Sequence, residues 1–291
     1  MTKILVTGAG GQLGQSLQFE DDKVILTGLS RSTSLGRSPT LDFIMDVTDR
    51  DQVKSVFELT SPDVVLHFAA MTHVDGCELN PDKAVKINVN GTRNILKEFR
   101  KKIIYVSTDY VFDGQDGPYK EEDIIHPINV YGQTKLDGEI LVKEMSSDYV
   151  ILRTNVVWNI GGNFQASFAD WLIRELTIGN PVRIVTDQYN NPTHTEALHS
   201  AIMELLNQDA SGVYHYGSKN VLNRYEFARL IANVYELDES LIIPISTKEL
   251  NQPAKRPLKS GLKTDKIQRD LGIQPTELVS DIEKMKMRSI A

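Results

Sequence analysis

The hydrophobic pattern of the first half of the chain switches repeatedly between two periods. Near-continuous runs of Val, Ile and Leu occur at 3–8 (KILVTG), 24–30 (VILTGLS), 63–70 (DVVLHFAA), 102–108 (KIIYVST) and 149–154 (YVILRT). Such runs lack the alternation of a half-exposed sheet and predict parallel strands covered on both faces. Between them, 11–19, 49–59, 80–100 and 129–146 carry helical spacing. In DVTDRDQVKSVFE, Asp and Thr caps precede inward positions Val53, Val56 and Phe57. With a short third strand ending at Asp46, the alternation predicts βαβ units and an α/β, doubly wound parallel sheet over residues 1–154.

Beyond residue 154 the pattern loses its regularity. Helical stretches near 163–178, 193–208 and 223–236 are separated by short runs such as PVRIV, GVYHY and LIIPIS, with Pro and Gly between them. This predicts a smaller lobe over 155–291 on the carboxyl edge of the sheet, with some elements returning to the main core.

Composition narrows the partners. A chain of 291 residues holds one large α/β domain with a lobe, and its net charge of −7 supplies no global positive field for nucleic acid or an anionic membrane surface. Cys77 is the single cysteine, so no intrachain disulfide or cysteine-based zinc site can form, which suits a reducing cytoplasm. No apolar stretch nears the ~20 residues that span a bilayer, and the N-terminus lacks a signal-peptide pattern. A cytoplasmic protein without membrane partners is expected, and no residue set at metal-ligand spacing stands out.

The first strand runs into VTGAGGQLGQSL. Gly8, Gly11 and Gly14 fit G-x-x-G-x-x-G, a turn that lets backbone approach a pyrophosphate at the start of a helix. Its place at the first strand–helix junction predicts a dinucleotide site. The second strand ends in GLSRSTS, without the carboxylate that would hold a ribose 2′-hydroxyl, and offers Ser30 and Arg31 instead. Arg31 suits a 2′-phosphate, so NADP is favoured over NAD, with NADH left open. Asp46 reads equally as a contact to the adenine edge or as a helix cap. The small residues ending HFAA allow a cofactor to cross the strand end, while His67 itself reads as a packed strand residue.

The fifth strand ends at Ser107 and Thr108, at the carboxyl edge where open α/β sheets bind ligands. The next helix carries Tyr131 and Lys135, one turn apart and on one face. Of ten tyrosines only Tyr131 has a lysine four residues on; one such pair is expected by chance, so Thr108 and the glycine turn give it its meaning. A ketone accepting hydride needs a proton donor and a hydrogen bond to the developing alkoxide. Tyr131 and Thr108 supply these, and a cationic Lys135 is expected to lower the tyrosine pKa and to hold the nicotinamide ribose. Ile140 and Leu141 are expected to cover the sheet.

TGAGGQLG, STDYVFDG and YGQTK, in this order, resemble the extended short-chain dehydrogenase/reductases and, within them, the dTDP-4-dehydrorhamnose reductase family. AAMTHVDGCE, INVNGTRNI, VILRT, DQYNNPT and RPLKSGL extend the resemblance over nearly the whole chain. It implies a Rossmann-type fold, a Thr108–Tyr131–Lys135 catalytic set, and reduction of the C4 ketone of a nucleotide-activated deoxysugar by NADPH or NADH. It further implies Gly8, Gly11, Gln12, Leu13 and Gly14 at the pyrophosphate, Asp46 and Val47 near adenine, and Ala69 and Ala70 near the middle of the cofactor. Thr72 and Val74 fall between cofactor and substrate. Asp109, Val111, Phe112 and Asn155 fall on the substrate side, and Arg256 faces the sugar-nucleotide phosphates.

A homodimer is a family-level expectation. Two departures stand out: RTNVVW puts Asn155 and Val156 where the family commonly has a tryptophan, moving the aromatic to Trp158, and HFAA lacks the usual asparagine. Two other readings stay open, a reductase or epimerase of another nucleotide sugar, and a non-catalytic NADP-binding subunit resembling the regulatory subunit of methionine adenosyltransferase.

Overall fold

The computed structural model describes residues 2–17, 23–29, 41–160 and 167–290. Six strands of the first half, β1 (Lys3–Thr7), β2 (Lys23–Gly28), β3 (Leu41–Ile44), β4 (Val64–His67), β5 (Lys102–Thr108) and β6 (Tyr149–Thr154), join a seventh, Gly212–His215, in one sheet. Every pairing is parallel. From one edge the order is Gly212–His215, β6, β5, β4, β1, β2, β3, so the winding reverses between β1 and β4. That reversal opens a crevice beyond the carboxyl ends of the strands.

Both faces of the sheet are buried, as the unbroken apolar runs require. Leu5, Ile25, Val65, Ile103 and Ile151 pack under the helices Arg50–Thr60, Thr92–Glu98 and Val130–Met145. Ile4, Val6, Leu26, Leu66, Ile104 and Leu152 meet the opposite layer, which includes Leu198, Ala201, Ile202 and Leu205 of the helix Thr195–Asn207. That helix and the strand Gly212–His215 come from the second half of the chain yet complete the main core. The lobe has its own core, in which Trp158, Leu172, Ile184, Phe227, Ile231 and Ile282 interlock.

Two helices differ from expectation. The first helix is a single turn, Gln12–Gln15, rather than 11–19, and Gly11 caps it without a side-chain bond. The stretch 80–100 is a composite: Pro81–Ala84 is α-helical, Val85–Gly91 is widened to π spacing, and Thr92–Glu98 is α-helical again. The widened turn points Asn88 inward, where its Nδ2 donates to Thr134 Oγ1 at 2.9 Å and its Oδ1 accepts from the Met71 N–H at 2.7 Å. π-bulges of this kind are frequent at functional sites.

Candidate active site

The glycine turn is shaped by close approach. Gly8 has φ +71°, and a Cβ there would lie 2.7 Å from Ala69 N. A Cβ on Gly14 would lie 2.6 Å from both Cα and O of Ala9. A single helical turn carries little macrodipole, so these glycines, not the helix end, make the case for a phosphate here. Leu13 is buried in the sheet-side core, which limits it to a backbone contribution. Gln12, with its amide oriented to satisfy both neighbours, bridges Val157 O and Asn159 N at 3.3 and 2.8 Å, so its side chain serves the protein instead of a pyrophosphate.

Beyond the turn lies a cavity of about 660 Å³, lined among others by Gly8, Gly11, Leu29, Val47, Ala69 and Ala70. Asp46 lines it too, but Oδ1 of Asp46 accepts from the Thr48 N–H at 2.8 Å while Asp49 caps the helix Arg50–Thr60. The cap expected of Asp46 therefore belongs to Asp49. Lys83 and Lys86 also line the cavity and went unread, since solvent-facing helical lysines look alike in any sequence. Ser30 and Arg31, the residues chosen to separate NADP from NAD, lie outside the described residues.

His67 underlies this end. The hydroxyl of Thr92 donates to Asn88 O at 2.7 Å and so accepts from Nε2 of His67 at 2.9 Å. Nδ1 is then the acceptor for the Thr7 hydroxyl at 2.7 Å, and Thr7 Oγ1 in turn accepts from the N–H groups of Phe68 and Ala69, each at 3.2 Å. Burial and the Lys135 charge push His67 down to about 3, so it stays a neutral single tautomer.

At the chemical end, Thr108 closes β5 and Asn129 caps the helix Val130–Met145, accepting from the Gly132 N–H at 2.8 Å. Gly132 lets that helix press on the turn Asp109–Val111, because a Cβ there would lie 2.1 Å from Tyr110 O. Tyr131 is thereby brought to Thr108, whose side chain reaches its hydroxyl, and packs edge-on against Tyr110 at 5.6 Å. Lys135 is 4% exposed, with Nζ 3.9 Å from the centre of the Tyr105 ring.

The electrostatics reverse one expectation. Burial, reinforced by Asp109 and Tyr110, pushes the Tyr131 hydroxyl up, against the lowering contact from Thr108. Lys135 goes down to about 7, because burial outweighs the raising effect of Glu139. Desolvation thus dominates over the expected cation effect of lysine on tyrosine.

The inner face of the helix meets expectation in part: Leu141 packs against the sheet core, but Ile140 is 43% exposed, and Lys135, Gly138, Glu139 and Val142 face inward. Glu139 is held by Arg153 and accepts from the Ser107 hydroxyl at 2.6 Å.

The substrate-side residues divide. Asp109 is buried, accepts from Thr108 Oγ1 at 3.1 Å and from the Ser260 hydroxyl, and is pushed up to about 6 by burial. Val111 and Phe112 are fully buried with Tyr119 and Leu262, Phe112 stacked 4.3 Å from Tyr119, so their side chains are a local core with no surface for a ligand. Their apolar character is structural. Thr72 is exposed and Val74 half-buried where the chain leaves β4 for the helix Val74–Leu79. Arg256, 7% exposed at its side chain, donates through Nη2 to Asp75 at 2.8 Å.

Asn155 is buried; its Nδ2 donates to Asn191 Oδ1 at 2.8 Å, while its Oδ1 has no partner among the described residues. Trp158 is buried against His194 and Phe227 in the lobe core, so it is no substitute for a pocket tryptophan. Val156, at the expected tryptophan position, has φ +41°, a strained conformation for a β-branched residue.

A parallel sheet whose winding reverses beside a glycine turn, with a tyrosine–lysine helix following the adjoining strand, defines an extended short-chain dehydrogenase/reductase. The family model described as "RmlD substrate binding domain" matches residues 1–289, and the chain belongs to that family. It is 34% identical over 293 residues to dTDP-4-dehydrorhamnose reductase of Aggregatibacter actinomycetemcomitans, covering 95% of this chain and 96% of the relative. The crystal structure of dTDP-4-dehydrorhamnose reductase from Bacillus anthracis in complex with NADP superposes with a TM-score of 0.88 at 29% identity, covering 99% of both chains. Methionine adenosyltransferase 2 subunit beta of Xenopus laevis is also related, at 30% identity over 92% of this chain and 82% of the relative.

Proposed function

We propose that the chain reduces the C4 ketone of a nucleotide-activated 4-keto-6-deoxy sugar, converting dTDP-4-dehydrorhamnose to dTDP-L-rhamnose with NADPH. The observation that carries this reading is the contact of Thr108 with Tyr131 at the end of β5, with Lys135 buried one turn along the same helix, in a fold that also holds a glycine-lined cavity. The missing Cβ atoms of Gly8 and Gly14 and the small Ala69 and Ala70 suit a dinucleotide, with Asp46 and Val47 toward adenine.

NADPH, when bound, supplies the hydride. Tyr131, kept protonated by its burial, gives its proton to the ketone oxygen as negative charge develops there. In this reading the Thr108 hydroxyl turns from Asp109, to which it donates at 3.1 Å in the free protein, and donates to the same oxygen, orienting it. Lys135, with a pKa near neutrality, restores the proton to Tyr131. In this reading Oδ1 of Asn155, buried without a partner among the described residues, accepts from a sugar hydroxyl.

The test is NADPH oxidation followed by absorbance with dTDP-4-dehydrorhamnose and other 4-keto nucleotide sugars. Consumption with the dTDP sugar is expected. Tight NADPH binding with no oxidation on any of them would move the chain to the non-catalytic class of its methionine adenosyltransferase relatives.

A further inference from the structure

Arg224 opens the helix Arg224–Tyr235, directly after the cap residue Asn223. Leu222 and Asn223 pair antiparallel with Asn190 and Tyr189, and the Arg224 N–H donates to Gln188 O at 3.2 Å. Tyr189 in turn donates to Leu258 O at 2.6 Å and accepts from the Ser260 N–H at 2.9 Å, while the Ser260 hydroxyl holds Asp109. These bonds bring Arg224 and the segment carrying Arg256 together beside Asp109, just beyond the end of β5.

The two arginines differ in what compensates them. Arg256 has the Asp75 carboxylate at 2.8 Å and Ala254 O at 2.8 Å. Arg224 lies with its guanidinium carbon 5.2 Å from the Phe168 ring centre, and its charged or titratable neighbours are Tyr110, Asp109 and Arg256. Among the described residues it has no ion pair, and the Asp109 carboxylate is already engaged by Thr108 and Ser260. A half-buried guanidinium beside a second one is unfavourable unless an anion joins them. Tyr110 gives the distance scale: its ring packs on Tyr131, and both arginines act on its hydroxyl. In a pyranose, C4 and the C1 carrying the diphosphate lie on opposite sides of one ring.

We propose that Arg224 is a substrate-positioning residue whose guanidinium, beside Arg256, holds the diphosphate while the sugar ring spans Tyr110 to bring C4 to Tyr131. This deepens the nucleotide-sugar reading above and rests on it. Arg256, paired with Asp75, sets orientation, and Arg224, which no carboxylate bonds directly among the described residues, supplies the guanidinium free to take up the phosphates. A planar fork on phosphate oxygens gives charge-assisted, geometry-selective bonds.

The test titrates dTDP and thymidine into protein saturated with NADP, comparing the wild type with Arg224→Gln and Arg224→Lys. Arg224→Gln is expected to weaken dTDP at least about tenfold while leaving thymidine and NADP unchanged, and Arg224→Lys to recover part of the loss. If Arg224→Gln misfolds, the comparison of dTDP with thymidine in Arg224→Lys decides. Binding of dTDP by Arg224→Gln within about twofold of the wild type, or equal weakening of dTDP and thymidine, overturns the assignment. A wild-type protein that binds no dTDP instead sinks the nucleotide-sugar reading, and Arg224's role with it.

Discussion

Arg153 grips Glu139 with both prongs, Nε to Oε1 at 2.9 Å and Nη2 to Oε2 at 2.8 Å, beneath the helix that carries Tyr131 and Lys135. Their side chains are 1% and 0% exposed. Arg153 also stacks over Phe112 at 5.2 Å and meets His215 Nε2 at 3.3 Å, and Ser107 shares the carboxylate, so little hydrogen-bonding capacity is left unmet. The pair pins the reactive helix to β5 and β6, and places a negative charge one turn from Lys135.

Removing one partner strands the other. Arg153→Met or Glu139→Leu alone is expected to destabilise the fold by about 3–5 kcal/mol, because an unpaired charge stays buried. The double variant should lose much less than the sum. Urea unfolding of all four proteins measures this, and additive losses would show that the two side chains act independently.

Tyr131→Phe removes the proton donor while keeping the ring that packs on Tyr110. Turnover should fall by roughly 10²–10⁴, with NADPH affinity and melting temperature little changed. Turnover within a few-fold of wild type would dismiss Tyr131 as the donor.

The glycine turn offers a paired comparison. Gly14→Ala pushes a methyl group to 2.6 Å from Ala9 and should cost about 1–3 kcal/mol of stability together with NADPH affinity. A Cβ on Gly10 meets nothing within 4 Å, so Gly10→Ala should unfold like the wild type. Equal melting of the two variants would contradict the close approach.

Acid should destabilise the protein through its buried histidines. His67 and His215 are both pushed from 6.5 to about 3 by burial, with Lys135 and Arg153 respectively adding to it. Their folded values lie below the unfolded one, so the stability they carry is complete above pH 6.5 and is lost as pH falls toward 3. Asp109, raised from 3.8 to about 6, works in the opposite sense: its charging penalty disappears as the pH drops through that interval. Among these three groups, two histidines against one carboxylate leave a loss of roughly 1.4 kcal/mol per pH unit where all three titrate; His194, also lowered by burial, adds to it, and Glu121 and Asp281, raised by burial, subtract from it. Thermal unfolding across pH measures the slope, and His67→Gln should flatten it; an unchanged slope would exclude His67 as a contributor.

The strands were legible because burial on both faces forces unbroken apolar runs, and the glycine turn because only glycine tolerates such close backbone contact. The Tyr131–Lys135 helix was legible in position and, through Leu141, in part of its orientation. The rest of its inner face is built from Gly138, Lys135 and Glu139, residues whose hydropathy points outward, while Ile140, apolar, is exposed. The Glu139–Arg153 pair and the Asn191 hub, which bonds Asn155, Ser218 and Leu262, leave no periodic trace. Their partners are fixed by the fold rather than by spacing. Arg224 went unread for the same reason, as an arginine at a helix start carries no local sign of what it faces.

The bonds from Asp109 to Ser260 and from Asp75 to Ala254 and Arg256 join residues at opposite ends of the chain's length. The main core itself is completed only by the helix Thr195–Asn207 and the strand Gly212–His215, and these contacts wait for the residues that follow them. The substrate-side wall beside Asp109 is therefore the last part of the site to close, after the sheet that carries Thr108 is complete.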